Sequence, residues 1–302
     1  MDRFETMSIL VAVADGGSLS EASRKLKIPL ASVSRKISEL EAHLNVKLLT
    51  RTTRSLEFTD YGQSYLVFCR RILDEVQEAE RTVTGEYAAP KGHLTITAPV
   101  VFGKLHLLPI ITDFLKAYSE VDIQLSLSDR SVDLIEEKID LALRIGELPS
   151  SSLMAIRVGQ VRQQTCANKE YLKTMGLPKS PNDLKEHHCI TIGSLGSSTK
   201  WIFPNGKLKN SVFIRSRLEV NSPEAGLEAA LNGAGITRAL SYQVAEYQKR
   251  GALQIILKDF EPEPWPVHLV YPAGRIVAIK LRAFLDFATP RLKERLSKIH
   301  PK

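Results

Sequence analysis

The chain has 302 residues, a net charge of +7 and an apolar fraction of 43%. This length indicates two or three folding units, and the apolar content is enough for real cores, which excludes a disordered chain. The basic balance suits a nucleic-acid partner without identifying one. Cys69, Cys166 and Cys189 lie far apart without a CxxC spacing, which argues against a zinc ribbon or a disulfide framework. Because no secretory signal and no membrane-length apolar run is present, we expect a soluble cytoplasmic protein.

The N-terminal stretch begins with two helix patterns. Apolar residues recur at three- and four-residue steps from Phe4 to Ala14, and Gly16-Gly17 ends that period. Ser18 followed by Glu21 has the spacing of a capping box, in which each side chain satisfies a free backbone N–H. This spacing predicts a second helix over Leu19 to Leu26.

A third helix follows Pro29, which fits at or just before a first turn because its missing N–H costs nothing there. Its apolar face is formed by four residues at helical spacing, Val33, Ile37, Leu40 and Leu44. The opposite face carries small polar or apolar residues and one cation, namely Ala31, Ser34, Arg35 and Ser38. Such a face approaches a major groove closely while the arginine reaches a guanine edge or a phosphate, so we predict a recognition helix.

The segment from Val46 to Thr59 is rich in extended formers and predicts two short strands around a turn near Thr52 to Ser55. Arg54 would lie at the tip of this wing, beside the DNA backbone or minor groove. From Arg24 to Arg54 there are eight basic and two acidic residues, so the positive charge is focused where phosphates would lie. Amphipathic helices with solvated charges would explain each part singly, but the set together predicts a winged helix-turn-helix that binds DNA.

Thr59 or Asp60 caps a fourth helix. Along it, apolar residues alternate at steps of four and three, which is the seam of a coiled coil. A long helix with one narrow apolar stripe is expected to pair with a copy of itself. The seam consists of Tyr65, Cys69, Ile72, Val76, Ala79 and Val83. Gly85 ends the helix, and 88–92 is interpreted as a linker.

Beyond Lys91 short apolar strands alternate with helices, which predicts an α/β fold with parallel strands. The predicted order is a strand at 94–98, a helix at 103–118, a strand at 123–128, a helix ending at Lys138 and a strand at 139–145. A second lobe is expected from Gln163 to Pro266, after which a strand at 267–271 rejoins the first lobe. A final helix runs from Val277 toward Leu296.

The chain resembles the LysR-type transcriptional regulators over essentially its full length. The resemblance is carried by Gly17-Ser18-Leu19, Ala22-Ser23, Leu26, Val33-Ser34-Arg35-Lys36-Ile37, Leu40-Glu41, Leu44-Asn45-Val46, Leu48-Leu49, Arg51-Thr52-Thr53-Arg54 and Thr59-Asp60-Tyr61-Gly62. It implies a winged helix-turn-helix at 1–59 and a linker (dimerisation) helix and hinge at 60–90. The remaining 91–302 would form a two-lobed, periplasmic-binding-protein-like α/β effector domain, with lobe I at 91–162 and 267–302 and lobe II at 163–266.

The resemblance, together with the face of the third helix, predicts which residues contact DNA. The predicted set is Ser18, Leu30, Ala31, Ser32, Ser34, Arg35, Ser38, Arg51 and Arg54. Leu30-Ala31 stands where the family commonly has Gln-Pro, so a glutamine able to read adenine is absent. We expect apolar contacts to thymine methyls there instead.

The same resemblance places effector contacts in the cleft between the lobes, near strand ends and helix N-termini. The predicted positions are Pro99, Val100, Val101, Phe102, Ser128, Arg144, Gly146, Gly193, Ser194, Asn221 and Thr237. The segment 99–102 is more apolar than the hydroxyl-bearing turn common in the family, which favours an aromatic or partly apolar effector. Arg144 has a second interpretation, as part of an internal salt bridge.

The resemblance implies double-stranded promoter DNA and a small-molecule effector as partners, a homodimer or homotetramer, and RNA polymerase as a further partner. We expect no catalytic residue, cofactor or metal; His187-His188-Cys189 is interpreted as a structural segment, and Trp201 as a packing residue. A redox pair of Cys166 and Cys189 would require proximity. The alternative function is a small-molecule-binding protein or enzyme built on the two lobes. No GxSxG, GxGxxG, P-loop or HExxH motif supports an enzyme.

Overall fold

The computed structural model describes residues 2–51, 56–84, 89–130, 132–193, 200–205, 208–273 and 277–299. The chain divides into two compact units, Met1–His93 and Leu94–Lys302.

The N-terminal unit is built from four helices and one short hairpin. These are α1 (Arg3–Gly16), α2 (Leu19–Leu26), α3 (Leu30–Leu44), β1 (Leu49–Arg51), β2 (Leu56–Phe58) and α4 (Asp60–Thr84). Their apolar faces meet in one core, whose fully buried members include Leu10, Val13, Ala22 and Ile37. Burial of each Leu, Val or Ile side chain contributes about 1.5–3 kcal/mol, so this small unit depends on every one of these faces.

Local signals set the helix ends of this unit. Gly17 adopts a left-handed φ of 65° after α1, and the Ser18 hydroxyl accepts a hydrogen bond from the Glu21 amide at 3.1 Å. Thr59 is the cap of α4, since its hydroxyl accepts from the Gly62 amide at 3.0 Å. The predicted stop after α1, the Ser18 cap and the bounds of α2 are therefore confirmed, whereas the Glu21 side chain pairs with Arg24.

The predicted wing strands are confirmed as an antiparallel pair. Leu49 lies opposite Phe58 and Arg51 opposite Leu56. The turn between them at 52–55, including Arg54, lies outside the described residues.

In the C-terminal unit, lobe I holds a five-stranded sheet with helices against one face. Its elements are β3 (Gly92–Ala98), α5 (Val100–Phe102), a π-helical turn (Gly103–Leu107), α6 (Leu108–Ala117), β4 (Val121–Leu127), β5 (Leu141–Ile145), β6 (Leu153–Val161), β14 (Trp265–Pro272) and α10 (Ile279–Ile299). The strand order is β4-β3-β5-β14-β6. β3 and β5 are parallel, whereas β14 runs antiparallel to β5 and β6.

Lobe II holds a second five-stranded sheet and a separate two-stranded hairpin. Its elements are β7 (Gln163–Asn168), α7 (Lys169–Met175), a 3₁₀ turn (Pro181–Glu186), β8 (His188–Ile192), β9 (Lys200–Asn205), β10 (Leu208–Phe213), β11 (Arg215–Val220), α8 (Pro223–Leu231), β12 (Ile236–Leu240), α9 (Ser241–Lys249), β13 (Leu253–Ile256) and a 3₁₀ turn (Lys258–Phe260). The strand order of the sheet is β11-β8-β12-β7-β13, and β9 pairs with β10 in the hairpin. β8 is parallel to β11 and β12, whereas β7 is antiparallel to β12 and β13.

Two sequence predictions for this unit are wrong, whereas the helix predicted at 103–118 is confirmed, since the π-helical turn at its start continues directly into α6. The sheets are mixed rather than parallel, because the chain enters and leaves lobe II through antiparallel strands. The helix ending at Lys138 is a single turn, since Asp133 caps the Ile135 amide at 2.8 Å and Lys138 turns left-handed with a φ of 55°.

Candidate DNA-binding and effector-binding sites

The recognition helix α3 separates a buried face from an exposed face. Val33, Ile37 and Leu40 are at most 1% exposed and pack into the core of the N-terminal unit. On the other side Leu30 is 45% exposed. The remaining predicted contacts of this helix are also accessible, with Ala31, Arg35 and Ser38 exposed and Ser32 and Ser34 half-buried. The structure therefore brings the predicted α3 residues together on one accessible surface.

Several cations between Arg24 and Arg54 form ion pairs with acidic residues of the same chain. Lys36 pairs with Glu5, and the Lys25 ammonium lies 3.3 Å from Asp15. The Arg35 side chain, by contrast, is 70% exposed, and its Nε lies 3.7 Å from a Glu39 oxygen. An exposed ion pair of this length contributes little and exchanges readily for another anion. Arg35 is thus the cation of α3 best placed to leave its partner for DNA.

The remaining predicted DNA contacts, Ser18, Arg51 and Arg54, lie outside α3. Ser18 is half-buried, and its hydroxyl caps α2 while keeping its own hydrogen for donation. The backbone of Arg51 belongs to β1, and Arg54 lies outside the described residues. The structure thus confirms the predicted capping role of Ser18, and its contact with DNA stays a prediction.

Glu41 is a functional candidate that the sequence analysis counted among the acidic residues and among those that carry the resemblance, without assigning it a structural role. It is 7% exposed, and its carboxylate accepts from the Leu48 and Leu49 amides at 2.9 and 3.1 Å and pairs with Lys47 at 2.7 Å. Burial alone would raise the pKa of Glu41, but the hydrogen bonds from Lys47, Leu49 and Leu48 and the charge of Lys47 outweigh it and lower the pKa. Its position four residues after buried Ile37 was the signal that could have found it.

The predicted dimer seam on α4 divides into two parts. Cys69 is 0% exposed, and Tyr65 packs beside it against the core of the same unit. Burial raises the pKa of Cys69 to about 11. Since Cys69 has no surface left for a partner, its assignment to the seam is corrected. Ile72 and Val76 are half-buried, and the side chains of Ala79 and Val83 lie outside the described ones.

On the lobe I side of the cleft, the segment after β3 is fixed by hydrogen bonds. The Ser128 amide donates to the Ala98 carbonyl at 3.0 Å, and the Val100 amide donates to Asp129 at 3.2 Å. These bonds bring the ends of β3 and β4 together, and with them Ser128 and Val100. Within the segment Pro99 and Val100 are half-buried and Val101 is 6% exposed.

Phe102 is 0% exposed and does not line the cleft, which corrects its assignment. Its ring contacts Tyr242 of lobe II at a centroid distance of 5.1 Å and His106 at 4.9 Å. Nearby, the Lys104 ammonium lies 3.3 Å from Glu224 at the start of α8. These contacts join the lobes beside the predicted site. Sequence reasoning missed His106 and Tyr242 because their partners lie in the other lobe.

His106 is held in an environment that disfavours its charged form. Burial and the nearby charge of Arg295 lower its pKa to about 4. Its Nε2 atom is buried without a hydrogen-bond partner in the described part of the chain. The ring therefore contributes to the lobe contact as a neutral aromatic group at neutral pH.

On the lobe II side, Gly193 and Asn221 are brought together. The Gly193 amide donates to the Val220 carbonyl at 2.9 Å, and Asn221 is exposed. Thr237 is 0% exposed, and its hydroxyl donates to the Ile190 carbonyl at 3.2 Å inside the sheet. Thr237 is therefore a sheet residue rather than a cleft contact. Ser194 lies outside the described residues.

Arg144 and Gly146 shape the lobe I sheet. The Arg144 guanidinium donates to the Val132 carbonyl at 2.7 Å, and burial lowers its pKa. The guanidinium thus bonds a backbone carbonyl, while the charge of Glu137 acts on it in the direction expected for an internal electrostatic partner. Gly146 has a φ of 110°, a conformation that favours glycine, and its amide donates to the Pro266 carbonyl at 2.9 Å.

A shallow pocket of about 460 Å³ lies elsewhere on lobe II, between α7, the start of β8 and the end of α8. Its lining includes Tyr171, Met175 and His188 and contains none of the predicted cleft residues. The predicted cleft and this pocket are therefore separate features of the domain.

The cysteine and histidine motifs of lobe II are structural. Cys166 and Cys189 lie on opposite sides of β12 and pack on opposite faces of the sheet. Two strand spacings separate their Cα atoms by about 10 Å, beyond the reach of a disulfide, so the redox pair is excluded.

His187 is 5% exposed and contacts the Tyr171 hydroxyl at 3.3 Å. No metal-holding group occurs among the described residues, nor does any described helix have the length and apolarity to span a membrane.

A winged helix-turn-helix followed in the chain by a two-lobed α/β domain defines a DNA-binding protein with a small-molecule-binding domain. Two family profiles match the chain: "Bacterial regulatory helix-turn-helix protein, lysR family" at residues 4–63 and "LysR substrate binding domain" at 88–293. The chain is 32% identical over 289 residues to an HTH-type transcriptional repressor of Pseudomonas aeruginosa, covering 95% of this chain and 91% of that protein. It is 30% identical over 290 residues to the HTH-type transcriptional activator AaeR of Escherichia coli, covering 96% and 94%.

Solved structures agree with this assignment. CrgA, a LysR-type transcriptional regulator from Neisseria meningitidis, is 31% identical with a TM-score of 0.61, covering 95% of this chain and 98% of that one. The Vibrio cholerae virulence activator AphB is 26% identical with a TM-score of 0.60, again covering 95% and 98%. The chain belongs to the LysR family of bacterial regulators. It is a DNA-binding transcriptional regulator with an effector-binding domain.

Proposed function

We propose that the chain reads promoter DNA by inserting the N-terminal half of α3 into the major groove, with the wing against the adjacent backbone. The accessible face of α3 around Arg35 is the single observation that carries this proposal. Arg35 would contact a guanine edge or phosphate, Leu30 and Ala31 the thymine methyls, and Ser18, Ser32, Ser34, Ser38, Arg51 and Arg54 the flanking bases and phosphates.

The test is the affinity of Arg35→Ala combined with Arg54→Ala for the intergenic DNA upstream of the protein's own gene. We expect the double variant to lose at least tenfold in affinity and to show a shallower dependence on salt, since two cations are removed. Arg250→Ala with Arg282→Ala is the matched control, because it removes the same charge from exposed positions of the effector domain. Unchanged sequence-specific binding by the first pair would refute the assignment.

We propose that the protein acts as a homodimer, or as a homotetramer built from dimers, in the cytoplasm. The half-buried Ile72 and Val76 on α4 support pairing, because an apolar stripe on a long helix gains from burial against a second copy. Val76→Glu is expected to lower the molar mass found by light scattering. The exposed substitution Gln77→Glu, which adds the same charge next to it, serves as the control.

We propose an aromatic or partly apolar effector bound between the lobes. Val100 offers methyl groups where a hydroxyl would bind a carboxylate, and the Phe102–His106–Tyr242 cluster stands directly behind this segment. Benzoate is the probe, and acetate is its control because it has the same charge without the ring. A rise in melting temperature with benzoate alone supports the proposal, whereas equal responses to both contradict it.

The effector would act by favouring one arrangement of the protomers on DNA, since a ligand shifts only an equilibrium between states it binds unequally. RNA polymerase is the partner we propose for the DNA-bound form. The alternative, an enzyme or binding protein that does not use DNA, predicts no salt-dependent binding to the promoter region. No catalytic residue, cofactor or metal belongs to the proposed mechanism.

A further inference from the structure

The segment from Lys47 to Leu49 is the point where the recognition helix meets the wing. Glu41, on the last turn of α3, binds the amides of Leu48 and Leu49 with one carboxylate oxygen, at 2.9 and 3.1 Å. Its other oxygen pairs with Lys47 at 2.7 Å. The Glu41 side chain is only 8% exposed, so these bonds form away from most of the competing water.

The same segment is held from the other side by the start of α4. The Thr59 amide donates to the Leu48 carbonyl at 3.0 Å, and the Thr59 hydroxyl donates to the Lys47 carbonyl at 2.7 Å. A Cβ atom at Gly62 would lie 2.0 Å from the Leu48 oxygen, which shows how closely α4 approaches. Both backbone polar groups of Leu48 are therefore bound, its N–H by α3 and its C=O by the cap of α4.

We propose that Glu41 is a positioning residue that fixes the wing relative to the recognition helix, and so determines whether both contact DNA together. β1 begins at Leu49, which Glu41 holds directly. A hairpin of two three-residue strands is marginal by itself, so its orientation comes from its anchors. A buried carboxylate is tolerated when its hydrogen-bonding capacity is filled, as three donors fill it here. This inference rests on the proposed docking of α3 and the wing.

The experiment compares wild type, Glu41→Gln and Glu41→Leu on the intergenic DNA described above. Glutamine keeps one acceptor oxygen but turns an NH₂ group toward Lys47, whereas leucine removes every bond. We expect Leu48 and Leu49 amides to exchange hydrogen at least tenfold faster in Glu41→Leu, with Glu41→Gln between it and wild type. In Glu41→Leu the slope of the logarithm of the DNA-binding constant against the logarithm of the salt concentration is expected to become shallower by about one to two. Each phosphate contact that the wing loses removes about 0.9 from this slope.

The second readout is the ratio of the affinities for two DNA sequences. Wild type and Glu41→Leu are expected to prefer the operator over a version altered in the major-groove bases by the same ratio, since α3 itself remains in place. Val13→Ala, in the core of the same unit, is the matched control for lost stability; it is expected to leave the salt slope unchanged. If Glu41→Leu does not fold, Glu41→Gln carries the comparison.

An unchanged salt slope in the folded Glu41 variants would overturn the proposal, as would a slope that Val13→Ala alters equally. If wild type itself shows no salt-dependent binding, the proposed docking fails instead, so the two failures are distinguishable.

Discussion

The three thiols show at the residue scale how burial changes chemistry. Burial raises the pKa of Cys69 to about 11 and that of Cys166 and Cys189 to about 12. Since the thiolate is the reactive form, we expect all three to react slowly with a disulfide reagent at pH 7.5 and at once in denaturant. A thiol count by absorbance checks this, and one fast-reacting equivalent in the native protein would contradict it.

Gly62 is required where α4 approaches the wing, since an added methyl group would lie 2.0 Å from the Leu48 oxygen. Gly62→Ala is expected to destabilise the N-terminal unit by at least about 2 kcal/mol, because backbone cannot yield as a side chain does. Gln63→Ala, on the adjacent exposed position, is the control and should be neutral or slightly stabilising. Hydrogen exchange of the α4 amides measures the stability of both variants. Equal exchange rates in Gly62→Ala and Gln63→Ala would contradict the close contact between Gly62 and the Leu48 carbonyl.

At the scale of elements, α2 depends on one cap. Ser18→Ala removes the acceptor for the Glu21 amide and is expected to cost about 1 kcal/mol. This corresponds to roughly fivefold faster exchange of the α2 amides if the helix opens locally. The exposed Ser20 on the same helix provides the control substitution Ser20→Ala, which should not accelerate exchange. Equal acceleration in both variants would contradict the capping role.

Elements fixed by local chemistry were predictable, and those fixed by distant packing were not. The bounds of α2 follow from Gly17 and Ser18, which act within a few residues. The turn at 133–138 was mistaken for a helix because Asp133 caps it but nothing local shows that it ends after one turn. Cys69 and Thr237 were assigned to interfaces by spacing and resemblance, whereas the packing of other elements buries them completely. The assignment of Phe102 to the cleft was wrong for the same reason, since Tyr242, which its ring contacts, comes from the other lobe.

At the scale of the whole molecule, the tryptophans permit the effector domain to be observed separately. Trp201 and Trp265 are the two tryptophans of the chain, and both belong to the C-terminal unit. Urea unfolding followed by tryptophan fluorescence therefore reports that unit while the DNA-binding unit stays silent.

This reporter tests the acid sensitivity of the lobe contact. Burial, with Arg295, lowers the pKa of His106 from 6.5 to about 4 in the folded state. As the pH falls, His106 is protonated in the unfolded chain before it is protonated in the folded one. The contribution of neutral His106 to the free energy of unfolding is therefore complete above pH 6.5 and is lost as the pH falls toward 4. Allowing for partial exposure, we expect a loss of about 1 to 2 kcal/mol over this range. His106→Phe keeps the ring contacts without the titration and should lose less stability; an identical pH profile would contradict the assignment.

Cleavage of DNA from a probe on α3 tests directly whether the exposed face of this helix enters the major groove of promoter DNA. Because the three native thiols are buried, Ala31→Cys supplies a single accessible thiol on that face, to which an iron chelate that cleaves DNA by hydroxyl radicals is attached. We expect two related clusters of cleavage on the intergenic DNA, in major grooves spaced by whole helical turns, one for each protomer. Arg250→Cys with the same chelate should give no localised cleavage. Uniform cleavage from Ala31→Cys, or the same pattern from both positions, would contradict the claim.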